Sequence, residues 1–184
     1  MPSVHFVPSE ASEYKLRLLT RGQTEKRVSE VWELSGWLEL ELGLKAPLRL
    51  SCSNPVRHGL EPLLELAQWV KTGRGSFFSR VLGTASLGNS HHLYVRWRGH
   101  YDAVLLLGER DSTVGLQKND DAFHLTVLET DDQPELEDTS TKLTQGELLE
   151  LPRLLWQDLD ALLRLLGVEL EDRQLQKWER YRGF

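Results

Sequence analysis

The sequence predicts a single α+β domain in which a mostly antiparallel β-sheet is packed on at least one face by helices. Short stretches with alternating polar and apolar residues, typical of half-buried strands, occur in both halves of the chain. Two longer stretches, 60–72 and 148–166, place apolar residues three or four positions apart, as amphipathic helices do. One hydrophobic core commonly serves a chain of 184 residues, and no internal repeat divides it, so we expect residues 1–184 to form one globular domain.

The strands of the N-terminal half are predicted from alternation. Residues 14–20 and 28–34 are separated by a glycine turn and form two candidate strands. Residues 37–42 alternate leucine with glutamate, so the leucines face inward and the glutamates outward, and residues 48–52 repeat the pattern. Cys52 then has inward parity, where a thiol usually behaves as a small, inert hydrophobic group.

The first predicted helix, 60–72, has Pro62 near its start and Gly73 just after its end, which are favoured positions for these residue types. The glycine-rich region 73–90 indicates no single structure. Three further strands are predicted at 92–98, 102–108 and 122–128.

The turn between the strands 92–98 and 102–108 decides which side chains share a face. A three-residue turn, Gly99–Tyr101, pairs Arg98 with Asp102 and leaves the opposite face wholly apolar. A two-residue turn would set Asp102 against an apolar neighbour. We expect the three-residue turn, because burying an unpaired carboxylate costs more than a cross-strand ion pair contributes.

The C-terminal part begins with a polar break, 129–142, which is rich in carboxylates and predicts a solvated acidic loop. Thr144 and Glu147 have capping-box spacing just ahead of the leucine-rich helix 148–166. Pro152 either kinks this helix or begins a new one. Residues 170–182 predict a short C-terminal helical tail.

Composition and charge bear on the class of protein. The formal net charge of −6 and the pI near 5.5 disfavour generic nucleic-acid binding, which relies on a basic surface. A single cysteine cannot form an internal disulfide, the N-terminus shows no signal peptide, and charged residues interrupt the longest leucine-rich stretch, 148–166. We therefore expect a soluble cytoplasmic protein without membrane contact. The absence of isoleucine and the excess of arginine over lysine indicate a GC-rich, bacterial genome.

Motifs for metal, cofactor or catalytic chemistry are not found in the sequence. His91 and His92 are adjacent and would point to opposite faces of a strand, whereas His92 and His100 would lie about 26 Å apart along one. No phosphate-binding glycine loop, nucleophile elbow or metal-ligand spacing is present. We therefore predict no metal site, no cofactor and no catalytic residue.

The first functional hypothesis is a non-enzymatic protein-interaction module with a basic protein partner. The acidic loop would supply its binding surface, because complementary charge accelerates encounter between proteins. A small acidic bacterial inhibitor, such as an immunity-type protein against a basic toxin, is a concrete version. The predicted partner-binding residues are Asp131, Asp132, Glu135, Glu137 and Asp138.

The alternative is a nucleic-acid or nucleotide-binding protein, with or without enzymatic activity. Its site would be a basic and aromatic face of the hairpin, able to hold phosphates and stack a base, made of Tyr94, Arg96, Arg98 and His124. Self-association is a further hypothesis, because the leucine face of 148–166 could form a homodimer interface.

Overall fold

The computed structural model describes residues 1–13, 33–73, 92–95, 100–110, 112–165, 178–179 and 181–182. Sheet A is antiparallel and has the strand order β1-β2-β3, with bounds Ser3–Pro8, Gly36–Glu41 and Leu48–Cys52. Sheet B is antiparallel with the order β4-β5-β6-β7-β8. Its strands are Leu93–Val95, Ala103–Leu107, Ser112–Asn119, Ala122–Glu129 and Ser140–Thr144.

Two long helices accompany the sheets. Helix α1 spans Glu61–Thr72 and follows a π-helical turn, Val56–Leu60, while helix α2 spans Gln145–Leu165. Residues 178, 179, 181 and 182 are also helical and belong to a C-terminal helix. Both predicted long helices are therefore present, and the α+β fold class with a mostly antiparallel sheet is confirmed.

The inner face of sheet A is built by strand alternation. Val4 on β1 lies opposite Leu40 on β2, which lies opposite Leu48 on β3, and the three side chains are buried. Residues of opposite parity, among them Trp37 and Glu39, form the outer face. The sequence therefore separates a core face from a face that is free to carry polar and aromatic side chains.

Helices and sheets share one hydrophobic core. Helix α2 packs against β1 and α1, which confirms the expected packing of a helix on a sheet. Helix α1 covers the inner face of sheet B, where Trp69 meets Phe123 of β7 edge-on at 5.7 Å between ring centroids. Outward-facing positions of both sheets are therefore the places where side chains can serve a function other than packing.

The ends of the helices follow the predicted chemistry. The backbone N–H of Thr144 donates to Glu147 at 2.8 Å, and the N–H of Glu147 donates back to the Thr144 hydroxyl at 3.2 Å, so the predicted capping box is present. The contact with Thr144 lowers the pKa of Glu147. Gly73 ends α1 with a φ of 66°, a left-handed conformation that glycine adopts without strain. Pro152 lies inside a continuous α2.

Carboxylate side chains accept hydrogen bonds from backbone N–H groups at three sheet edges. Asp158 of α2 accepts the N–H of Phe6 on β1 at 2.7 Å, and Asp132 accepts the N–H of Ser51 on β3 at 2.7 Å. Glu65 of α1 accepts the N–H of Leu93 on β4 at 3.0 Å, and also that of the preceding residue. Edge N–H groups that are already bonded cannot receive a strand from another chain.

The predicted register of the 92–108 hairpin is wrong. Leu93 lies opposite Leu105 rather than Leu107, so the register is displaced by two residues while the same residues share a face. The reason is a strand that the sequence pattern did not predict, β6, which pairs with β5 on the other side. The Asp102 carboxylate accepts the backbone N–H of Lys118 on β6 at 2.7 Å and thereby gains a partner inside the sheet.

Two other strands, β1 and β8, are also absent from the sequence prediction, and β8 begins within the predicted acidic loop 129–142. The predicted strand 14–20, most of 28–34 and nearly all of the region 73–90 lie outside the described residues. The same holds for most of the predicted tail 170–182.

Candidate functional site

The connection between β7 and β8, residues 130–139, is an ordered turn, here named the acidic turn. Its 3₁₀ segment, Pro134–Leu136, buries Leu136 completely, and Thr130 is buried as well. The N–H of Asp138 donates to the Val127 carbonyl at 2.8 Å, and further backbone bonds tie the turn to β7. The exposed carboxylates of the turn are therefore carried on a fixed backbone.

The five predicted acidic residues divide into two roles. Asp131, Glu135, Glu137 and Asp138 are exposed, whereas Asp132 is half-buried. One Asp132 carboxylate oxygen accepts both the N–H and the hydroxyl of Ser51, at 2.7 and 3.0 Å. Asp132 thus holds the turn against β3 and is occupied by that contact. The other four side chains are exposed, and Glu137 among them also accepts the N–H of Thr130 at 3.3 Å.

The outer face of sheet A exposes an aromatic and aliphatic pair beside this turn. Val7 and Trp37 lie directly opposite each other on β1 and β2 and are 38% and 39% exposed. The Arg49 guanidinium lies 5.5 Å from the centroid of the Trp37 ring and binds Glu39 at 2.7 Å. We name Val7, Trp37 and Arg49 the tryptophan patch.

An open polar cleft of about 570 Å³ lies at the end of sheet A where β2 begins and β3 ends. The cleft is lined by polar and charged side chains of Glu33, Ser35, Ser53, Asn54, Arg57, His58 and Glu109. Among these, Asn54 accepts the N–H of Arg57 at 2.9 Å and so fixes the start of the π-helical turn.

Ser51 connects the three features. It lies opposite Trp37 in the sheet and receives Asp132 of the acidic turn. Its carbonyl accepts the N–H of Glu109, a residue of the cleft, at 2.8 Å. Ser51 therefore links the acidic turn, a residue of the polar cleft and the strand position opposite Trp37.

The residues of the nucleic-acid alternative are only partly described. Tyr94 is in register with Val104 on β5, and His124 on β7 lies between Gln117 and Lys142 of the neighbouring strands. Three strand spacings, about 14 Å, separate β4 from β7, so these two residues do not meet in a single contact. Arg96 and Arg98 lie outside the described residues.

The described residues bear on three further features, namely a metal-ion cluster, a reactive thiol and a membrane-spanning helix. No group of three or more histidine, cysteine, aspartate or glutamate side chains there is placed to hold a metal ion. Burial raises the pKa of Cys52 to about 12, so its thiol stays protonated and is a poor nucleophile at neutral pH. Among the described helices, none has the length and apolar character needed to cross a membrane.

Comparisons with protein-family models, with curated proteins and with solved structures give no match. Val7 and Trp37 are not among the residues predicted for a site. A signal for Trp37 exists in the sequence, because it has the same parity as Glu39 in the predicted strand 37–42 and so belongs to the outward face.

Proposed function

We propose that the protein is a non-enzymatic interaction module that binds a basic protein partner on the outer face of sheet A, beside the acidic turn. The observation that carries this proposal is the exposed Val7–Trp37 pair on the sheet to which Asp132 ties the acidic turn, through Ser51 opposite Trp37. Aromatic side chains surrounded by polar groups are typical of the central contacts in protein interfaces.

The edges of sheet A favour binding to its face over addition of a strand. Asp158 bonds to the N–H of Phe6 on β1, and Asp132 bonds to the N–H of Ser51 on β3. A partner that extends the sheet would need these backbone groups. The face itself requires no such exchange, and its fixed backbone lowers the entropy lost on binding.

The charge of the surface favours a basic partner. The acidic turn exposes Asp131, Glu135, Glu137 and Asp138, and the whole chain has a formal net charge of −6. Such a field accelerates the encounter with a cationic protein. One concrete form is an immunity-type inhibitor of a basic toxin, acting in the bacterial cytoplasm.

Selection from a displayed library of random dodecapeptides tests the proposal without a known partner. We expect the wild-type protein to enrich peptides rich in lysine and arginine that bind less tightly as salt is raised. The variant Asp131→Asn/Glu135→Gln/Asp138→Asn should weaken these peptides about tenfold or more, because three charge contacts near a surface are lost together. Glu137 is left intact because it accepts the N–H of Thr130.

The matched control removes three negative charges away from the acidic turn, two between β6 and β7 and one on α2, with Asp120→Asn/Asp121→Asn/Glu150→Gln. The first two residues lie beyond the start of β7, about 25 Å along that strand from the acidic turn. Equal weakening by both variants would show that only overall charge matters and would contradict the proposed surface. Failure to enrich basic peptides, or preferential binding of single-stranded nucleic acid at low salt, would overturn the function itself.

A further inference from the structure

We infer that Trp37 and Glu39 on the outer face of sheet A recognise an arginine side chain of the partner, and that Arg49 occupies this arginine site in the free protein. The inference rests on the proposed function and adds to it the type of residue that the outer face of sheet A selects. It also assigns Arg49 an active role, because the internal guanidinium must leave before the partner's guanidinium can bind.

The site is defined by the contacts that Arg49 already makes. Its guanidinium lies over the Trp37 ring at 5.5 Å, within the range of a cation–π contact, and binds the Glu39 carboxylate at 2.7 Å. Glu39 lies directly opposite Arg49, and Trp37 lies on the diagonal of the same face. An aromatic face and a carboxylate therefore stand at the right separation to hold one guanidinium.

Arg49 can leave without disturbing the sheet. Its side chain is 51% exposed, and an exposed ion pair of this kind contributes little to stability. Its backbone is held independently, because the N–H of Arg49 donates to Gln133 of the acidic turn. Rotation of the side chain alone would open the Trp37 ring and the Glu39 carboxylate to an incoming group.

The site favours arginine over lysine. A guanidinium is planar, stacks on an aromatic ring and forms two parallel hydrogen bonds with a carboxylate. A lysine ammonium is compact and more strongly hydrated, so it gains less from the same ring. The acidic turn next to the patch should attract both cations equally, which allows the two contributions to be separated.

Blocked hexa-arginine and hexa-lysine peptides test the inference by calorimetry at low salt. We expect wild-type protein to bind hexa-arginine about two- to fivefold more tightly than hexa-lysine, the size of an exposed cation–π contact. Trp37→Ala should remove this preference by weakening hexa-arginine binding more than hexa-lysine binding. Trp37→Leu keeps an apolar side chain without a π face and should behave in the same way, provided that circular dichroism shows both variants folded.

Arg49→Gln tests the role of the internal guanidinium, with Arg153→Gln as the control of equal charge change on the surface of α2. Arg49→Gln should bind hexa-arginine about threefold more tightly than Arg153→Gln, because the ring is then vacant. Equal affinities of the two variants, or an arginine preference that persists in Trp37→Ala, would overturn the inference.

The two proposals fail in different ways. If wild-type protein binds both peptides equally and neutralisation of the acidic turn weakens both, the proposed function stands and the arginine site is wrong. If neither peptide binds, the proposed function fails as well.

Discussion

Two tryptophan–arginine contacts of similar geometry lie in different environments of this protein. Arg49 is 5.5 Å from the ring centroid of Trp37 on sheet A, and Arg182 is 5.6 Å from that of Trp156 on α2. Trp37 is 39% exposed, whereas Trp156 is 5% exposed. Trp156 also stacks on Trp178 at 5.5 Å and donates its indole N–H to the carbonyl of that residue.

The difference in burial gives the two arginine–tryptophan contacts different roles. Around Trp156 the arginine lies against a ring that is already fixed by stacking and a hydrogen bond, so the contact belongs to the packing of the C-terminal helix. Tyr181 of that helix donates to Glu61 of α1 at 3.2 Å and extends the same interior. Trp37 has one exposed side, so its arginine can be exchanged. The carboxylates also differ in burial. Glu65 is buried, Asp132 is half-buried and Asp131 is exposed.

The largest expected difference separates the two rings. Trp156→Ala should lower the free energy of unfolding by about 3–5 kcal/mol, because a buried aromatic ring leaves a cavity. Trp37→Ala should lower it by less than about 1 kcal/mol, as expected for a surface change. Urea unfolding followed by circular dichroism measures both, and comparable losses would contradict the division into interior and surface.

Glu65 extends the comparison to a buried carboxylate. Burial raises its pKa from 4.5 to about 7, so the folded protein holds the proton more tightly than the unfolded chain. The associated stability is present below about pH 4.5 and is lost as the pH rises through 7, about 3 kcal/mol in total.

Glu65→Gln should remove this pH dependence, because a glutamine carbonyl can still accept the N–H groups of His92 and Leu93 without titrating. We expect the wild type to lose about 3 kcal/mol relative to the variant between about pH 4 and pH 8 in urea unfolding. Parallel pH profiles of the two proteins would contradict the assignment.

Asp132 and Asp131 are neighbours with different environments. Asp132→Ala should destabilise the protein by about 1–3 kcal/mol, because the N–H and hydroxyl of Ser51 lose their acceptor. Asp131→Ala should change stability by less than about 0.5 kcal/mol, since its side chain is exposed. Thermal unfolding of the pair checks the contrast, which would be refuted by equal shifts in Tm.

The smallest expected effect concerns the exposed arginine itself. Arg49→Gln should lower the free energy of unfolding by less than about 1 kcal/mol, because an exposed ion pair and an exposed cation–π contact each contribute little. Chemical denaturation would reveal a larger loss of unfolding free energy. Such a loss would mean that Arg49 is a structural residue and not an exchangeable one.

Local patterns were sufficient to predict the helices and the strands that alternate clearly. Periodicity and the Thr144–Glu147 capping box located α2, and alternating leucine and glutamate located β2. Strand β6, Ser112–Asn119, was missed because its sequence mixes glycine, serine and polar residues. Its extended conformation is held by pairing with β5 on one side and β7 on the other. The hairpin register failed for the same reason, since Asp102 finds its partner on β6.

The candidate site was predictable only in part. The acidic residues of the turn were visible as a cluster, and the parity of Trp37 assigned it to the outward face. The role of Asp132 was not accessible, because its contact with Ser51 joins residues 81 positions apart. Contacts of this range depend on how the elements pack, which alternation and spacing do not determine.

The indole N–H signals of isotope-labelled protein give the most direct test of the central claim. The chain has six tryptophans, and the Trp37 signal can be assigned by its loss in Trp37→Phe. On titration with the hexa-arginine peptide, we predict that the Trp37 signal shifts progressively while the Trp156 signal stays in place. A Trp37 signal that does not move when the peptide binds would contradict the account.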